Sequence, residues 1–129
     1  MRYLVLVALV AVSSCAILSN NYAYAFRKGP VTKHVLVFDS PKVRAWLSAE
    51  ATSTQPKPHE RFLDAMAGDP SVAVGGGVNC RLLERSSVKC EGSQFDNVFV
   101  KIRVTNGPQR GSIGWVCLYT EIAIAHATP

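Results

Sequence analysis

The side chains with the widest chemical reach are the four cysteines and three histidines of this 129-residue chain, and two chemistries could use them. A zinc centre needs four nitrogen or sulfur ligands, usually grouped in closely spaced pairs. Cys80, Cys90 and Cys117 with one histidine make up the number, but their spacings match no zinc pattern. A cysteine hydrolase needs its thiol within hydrogen-bond reach of a histidine, and a third group to hold the ring. His34, His59 and His126 fall in segments that read as an arm, a helix cap and a tail, where surface or capping roles are ordinary. No Cys-x-x-Cys spacing points to redox work. The residues therefore predict no enzyme, no metal and no cofactor. What remains is recognition, and the residue types suited to it are aromatic: Trp115 first, with Tyr119 and Phe99 as weaker companions.

Those aromatics must be positioned by strands. Across 98–104 the even positions Val98, Val100, Ile102 and Val104 are apolar and β-branched, with Lys101 and Arg103 between them, which predicts a half-buried strand. Phe99 is out of phase with that set and should face away from it. Asn106-Gly107-Pro108, then Gly111 and Gly114, break the ladder and return the chain through Trp115 as a hairpin. Period-two alternation begins earlier, at Ser71: Val72 and Val74 alternate before Gly75-Gly76-Gly77, then Val78, Cys80 and Leu82, predicting a strand that ends near Glu84. The triple glycine is a turn or bulge. A phosphate loop would need a strand before it, a helix after it and usually a Lys-Ser/Thr pair. Arg85-Ser86-Ser87 should turn the chain into a further strand beginning at Val88.

Ahead of these strands lie helical signals. Ser40 before Pro41 satisfies the free amides of a helix start, so a helix over 41–51 follows, with Val43, Trp46 and Leu47 on one face. The polar, proline-bearing stretch 52–58 is a linker. A second short helix over 59–67 carries Phe62, Leu63 and Met66 and stops at Gly68. The run 34–38 is short and apolar, an edge strand or the entry to the helix, and periodicity does not separate the two.

The amino-terminal segment reads as an export signal: Arg2 supplies positive charge, 3–12 is continuously apolar, and Ala23-Tyr24-Ala25 has the small-x-small pattern of a cleavage site before Phe26. Val12-Ser13-Ser14-Cys15 offers an alternative, a lipobox that would leave Cys15 lipidated and the product anchored in the envelope. The organisation expected is thus 1–25 signal peptide, 26–70 flexible arm and two short helices, and 71–129 a β domain. Export implies an oxidising compartment in which cysteines pair.

Several features of the second half resemble the bacterial Src-homology-3-like domains of exported proteins: the stretch 77–84 looks like the family's first strand, 98–104 its central strand, and Gly114-Trp115-Val116 its turn into the last strand. The resemblance implies a five-stranded barrel with two short helices leading into it, and a peptide groove lined by Trp115 with Tyr119 and Phe99. A weaker likeness, carried by the Gly107-Pro108 turn and Gly111 between two strands, is to the KOW element of ribosome- and transcription-associated proteins, which would imply nucleic-acid partners. Cys80 and Cys90, on successive strands of one hairpin, are the favoured disulfide. In such a barrel the last strand closes on the first, which makes Cys80–Cys117 the rival. Either would contribute roughly 2–3 kcal/mol.

The net charge of +5 spreads over Arg81, Arg85, Lys89, Lys101, Arg103 and Arg110 among others, an anion-binding face or an evenly solvated one. The expected function is an exported, non-enzymatic module binding a protein or cell-wall peptide. The alternatives are a structural lipoprotein anchored through Cys15, the one case implying a membrane, and anion or nucleic-acid binding at the KOW-like turn, which export disfavours.

Overall fold

The computed structural model describes residues 23–29, 33–53, 55–88 and 97–124. Its central strand is β5 (Asn97–Val104). Val98, Val100, Ile102 and Val104 are all buried in one apolar cluster, and Phe99 is buried in a second cluster on the opposite face. Both faces of the strand are thus covered, one by the curl of the sheet and one by helices. The chain returns as β6 (Ile113–Cys117), with Lys101 opposite Trp115 and Phe99 opposite Cys117. Gly107 and Gly111 turn it with φ of +78° and +91°, values glycine adopts without Cβ strain.

On the other side of β5 lies β4 (Asn79–Val88), one strand where a strand and a turn were expected. The physical reason is a bulge: Leu82 faces Ile102 but Glu84 faces Lys101, so Leu83 is extra and the apolar alternation loses phase while the ladder continues through Arg85 and Ser86. Three further strands complete the sheet around this hairpin. They are β1 (Ala23–Phe26), β2 (Lys33–Phe38) and β3 (Ser71–Gly75). A last short strand, β7 (Ile122–Ile124), lies outside β1. The protein is mainly β, an open seven-stranded antiparallel sheet in the order β3-β2-β6-β5-β4-β1-β7. The run 34–38 is a strand, and an internal one, paired with β3 on one side and β6 on the other. Phe26, assigned above to a flexible arm, ends β1 and is 1% exposed.

The helices follow their capping signals. In α1 (Pro41–Glu50) the Ser40 Oγ accepts from the Val43 amide at 3.2 Å. Its partner α2 (Pro58–Ala65) starts at a proline one residue before the expected point, after Lys57 in a left-handed conformation. Arg61 of α2 reaches back to Glu50 of α1 at 2.5 Å. Together they lay Val43, Leu47, Phe62 and Met66 over Val37, Phe99, Trp115 and Cys117 of the sheet. Phe99 sits 5.0 Å from Phe62 and 5.7 Å from Trp46, ring centre to ring centre. That geometry adds to area burial. A third, one-turn helix, α3 (Leu118–Glu121), links β6 to β7.

Candidate functional site

Of the three aromatics expected to share a groove, two are core. Phe99 is the hub of the ring cluster beneath α1 and α2. Trp115 is 2% exposed, and its Nε1 donates to Asp39 Oδ1 at 3.0 Å. The cause is local: β2 runs directly into α1, so the helix lies over the face of β6 that carries Trp115. Asp39 also takes a forked pair from Arg44, at 3.1 and 2.6 Å, with Lys101 at 3.8 Å. The Arg44 hydrogen bonds, opposed by partial burial and helped by Trp115 and Lys101, bring its carboxyl down to about 2. Tyr119, on α3, is 48% exposed and stands apart from the other two.

The cysteines occupy opposite sides of the sheet. Cys80 is buried in the cluster with Val104, and Cys117 in the cluster with Phe99. Both are free thiols. This separates the rival pair, Cys80 and Cys117, since Cys80 lies in β4 opposite Val104 while Cys117 pairs with Phe99 near the far end of β5. The β5 strand lies between them. Cys90 lies outside the described residues, and because β4 is a single strand, residues 80 and 88 stand at its two ends. Cys15, Lys89 and His126 also lie outside the described residues.

What the fold does assemble is a buried polar cluster where β2 begins, α2 begins and α3 ends. Glu121 is its centre. One carboxylate oxygen meets His34 Nδ1, and the other meets His59 Nε2 at 2.9 Å. His34, 2% exposed, directs Nε2 at the Arg27 carbonyl at 2.9 Å. Arg27 Nη2 in turn donates to the Tyr119 carbonyl at 2.5 Å. The Cys117 thiol neighbours the His59 imidazole and the Thr120 hydroxyl. Burial works against the charged forms throughout, yet the partners win. Contact with Cys117 and Glu121 raises His59 to about 9. His59 and Thr120 hold Cys117 below the ordinary thiol value, and the two histidines hold Glu121 below the ordinary carboxylate. Cys80, with burial alone acting on it, is pushed up to about 12.

A thiol, an imidazole and a carboxylate in sequence are what nucleophilic thiol chemistry requires. The sequence contains these residues but no local sign that they meet: Cys117 and Glu121 are a turn apart, whereas His59 and His34 arrive from α2 and β2. The available signal was negative, a histidine at 34 among apolar residues on the inward phase of a strand. No group of three or more His, Cys, Asp and Glu side chains among the described residues is arranged to hold a metal ion.

A second feature is at the sheet's edge. β3 is the terminal strand, and its sequence Ser-Val-Ala-Val-Gly has no charge and no proline. Beside its end lies a cavity of about 400 Å³ lined by Lys33, Ala73, Val74, Val78, Pro108 and Gln109. Sheets ordinarily protect such edges with lysines, prolines or bulges. Compared with protein-family models, curated proteins and solved structures, the chain finds no match.

Proposed function

We propose that this protein is an exported, non-enzymatic module that binds an extended peptide by adding it as a strand to β3. The observation carrying this reading is the uncharged terminal strand beside a largely apolar cavity with one cation at its rim. Backbone hydrogen bonds along β3 would supply affinity, and one apolar side chain in the cavity, with an acidic group near Lys33, would supply selectivity. Such a peptide is a segment of a protein partner or of the cell wall. The groove is thereby moved from Trp115 to the opposite edge of β2. The run β6-β5-β4-β1-β7, with one helical turn between β6 and β7, supports the Src-homology-3-like likeness, β2 and β3 with the helices being an addition to it.

The experiment is titration of a labelled, extended peptide with alternating apolar residues and a free carboxylate against wild type, Ala73→Lys and Lys33→Gln. Ala73 is exposed, so a lysine there guards the edge without disturbing the core. Ten-fold or greater weakening in both variants, at unchanged melting temperature, is expected, at about 1.4 kcal/mol per decade. Equal affinity in all three removes the reading.

One observation favours the lipoprotein alternative over release before Phe26. Ala23 to Ala25, the small-x-small motif, lie within β1, paired with Asn79 to Arg81 of β4, and Tyr24 is buried in the core. Cleavage before Phe26 would remove most of that strand, whereas cleavage before Cys15 keeps it. We therefore propose that the module is tethered to the envelope through Cys15. The intact mass of the mature protein decides this: a diacylglyceryl-modified Cys15 supports the tether, and a chain beginning at Phe26 excludes it.

A further inference from the structure

The cluster around Glu121 has a fourth member, the Cys117 thiol, beside the imidazole of His59. His34 turns both ring nitrogens toward acceptors, the Arg27 carbonyl and the Glu121 carboxylate. His59 donates through Nε2 to the other Glu121 oxygen, while its Nδ1 is buried with no well-aligned hydrogen-bond partner. Glu121 is thus shared between two rings, so a protonated His59 gains from a second anion beside it. A thiolate at Cys117, whose thiol neighbours His59 and Thr120, supplies it. Among the described residues, the charged and titratable groups about it are His59 from α2, Glu121 from α3, and behind them His34 from β2 and Arg27, which reaches the Tyr119 carbonyl.

We propose that Cys117 is a site of reaction with hydroperoxides, His59 being the proton donor to the departing oxygen and Glu121 the group that holds its ring. Depth selects the reagent. Cys117 has no exposed surface, while His59 and Glu121 are 16% and 13% exposed, so a reagent that reaches the sulfur from their side must be small. In the step, the sulfur lone pair attacks one peroxide oxygen, an S–O bond forms and the O–O bond breaks. The departing oxygen takes the His59 proton and leaves as water or an alcohol. Sulfur is oxidised by two electrons to the sulfenic acid and the peroxide is reduced. Cys80, buried on the opposite face without a basic neighbour acting on its thiol, is the internal control.

The test treats the whole protein with hydrogen peroxide at neutral pH and follows the gain of one oxygen atom at each cysteine by peptide mass mapping. Cys117 is expected to oxidise at least ~100-fold faster than Cys80, and His59→Gln to slow it ~10-fold or more with the far-ultraviolet circular dichroism unchanged. Equal slow rates at Cys117 and Cys80 overturn the proposal, and so does a folded His59→Gln protein that keeps the wild-type rate. If His59→Gln does not fold, the wild-type pH profile decides. A thiol held below its ordinary value by its neighbours loses clearly less than ~10-fold in rate per unit from about pH 8 downward, whereas the full ~10-fold fall per unit, the behaviour of an ordinary thiol, rejects the proposal.

Discussion

Replacing Trp115 by alanine separates a core role from a ligand-facing one, and the size of the effect follows from its surroundings. The indole is 2% exposed and lies with Phe99, Cys117, Val43 and Leu47. Truncating a buried aromatic to alanine costs about 3–5 kcal/mol. Part of that is the bond from Nε1 to the Asp39 carboxylate, about 1.5–3 kcal/mol for a charged acceptor. Asp39 keeps Arg44 and Lys101 after the substitution, so no carboxylate is orphaned and about 4 kcal/mol is the expected total. Trp115→Phe retains most of the volume and loses the donor, at about 1–2 kcal/mol. With a urea slope of roughly 2 kcal/mol per molar, the alanine variant should unfold about 2 M earlier than wild type and the phenylalanine variant less than 1 M earlier. Circular dichroism is the assay, since the substitution removes a fluorophore. An alanine variant that unfolds at the wild-type midpoint but no longer captures peptide would place Trp115 in a groove and refute the packing described above.

Gly114→Ala should be destabilising by about 1–3 kcal/mol, read as a lower melting temperature, because overpacking forces backbone shifts. A Cβ there would lie 2.4 Å from the Val37 carbonyl oxygen and 2.9 Å from Leu36 Cγ, where β6 passes β2. On the acid side, Asp39 and Glu121 both titrate below ordinary carboxylates, so their stabilisation is full above the unfolded value and lost as the pH falls through the folded one. Urea midpoints should therefore fall between about pH 4.5 and pH 2, less steeply in Glu121→Gln. On the alkaline side His59, raised to about 9 from 6.5, contributes fully below 6.5 and loses its contribution as the pH climbs to 9. The depressed Cys117 acts in the opposite sense, its contribution growing as the pH rises toward the ordinary thiol value, so the two offset each other. Wild-type midpoints should therefore decline less between pH 6.5 and 9 than His59 alone would impose; a fall of the full ~1.4 kcal/mol per pH unit would mean that Cys117 stays a neutral thiol there.

Local order was written in the residues. The alternation of Val98, Val100, Ile102 and Val104 put those four side chains on one face, the out-of-phase Phe99 went to the other, and Ser40-Pro41 started a helix where capping chemistry requires. These features depend on neighbours a few positions away, which sequence displays directly. Pairing does not work that way. Leu83 hid the continuation of β4 because a single bulged residue shifts the phase without ending the ladder. Trp115 reads identically as groove or core until it is known which face of the sheet α1 covers. Whether Cys80 and Cys117 approach was undecidable from their positions in the chain, since the pleat sends one to each side of β5. The cluster of Cys117, His59, Glu121 and His34 is the clearest case. Its members lie up to 87 residues apart and come from four elements. Only the close approach of β2, α2, β6 and α3 takes them out of water together, and it is that shared loss of solvent, absent from any one segment, that makes their charges interdependent.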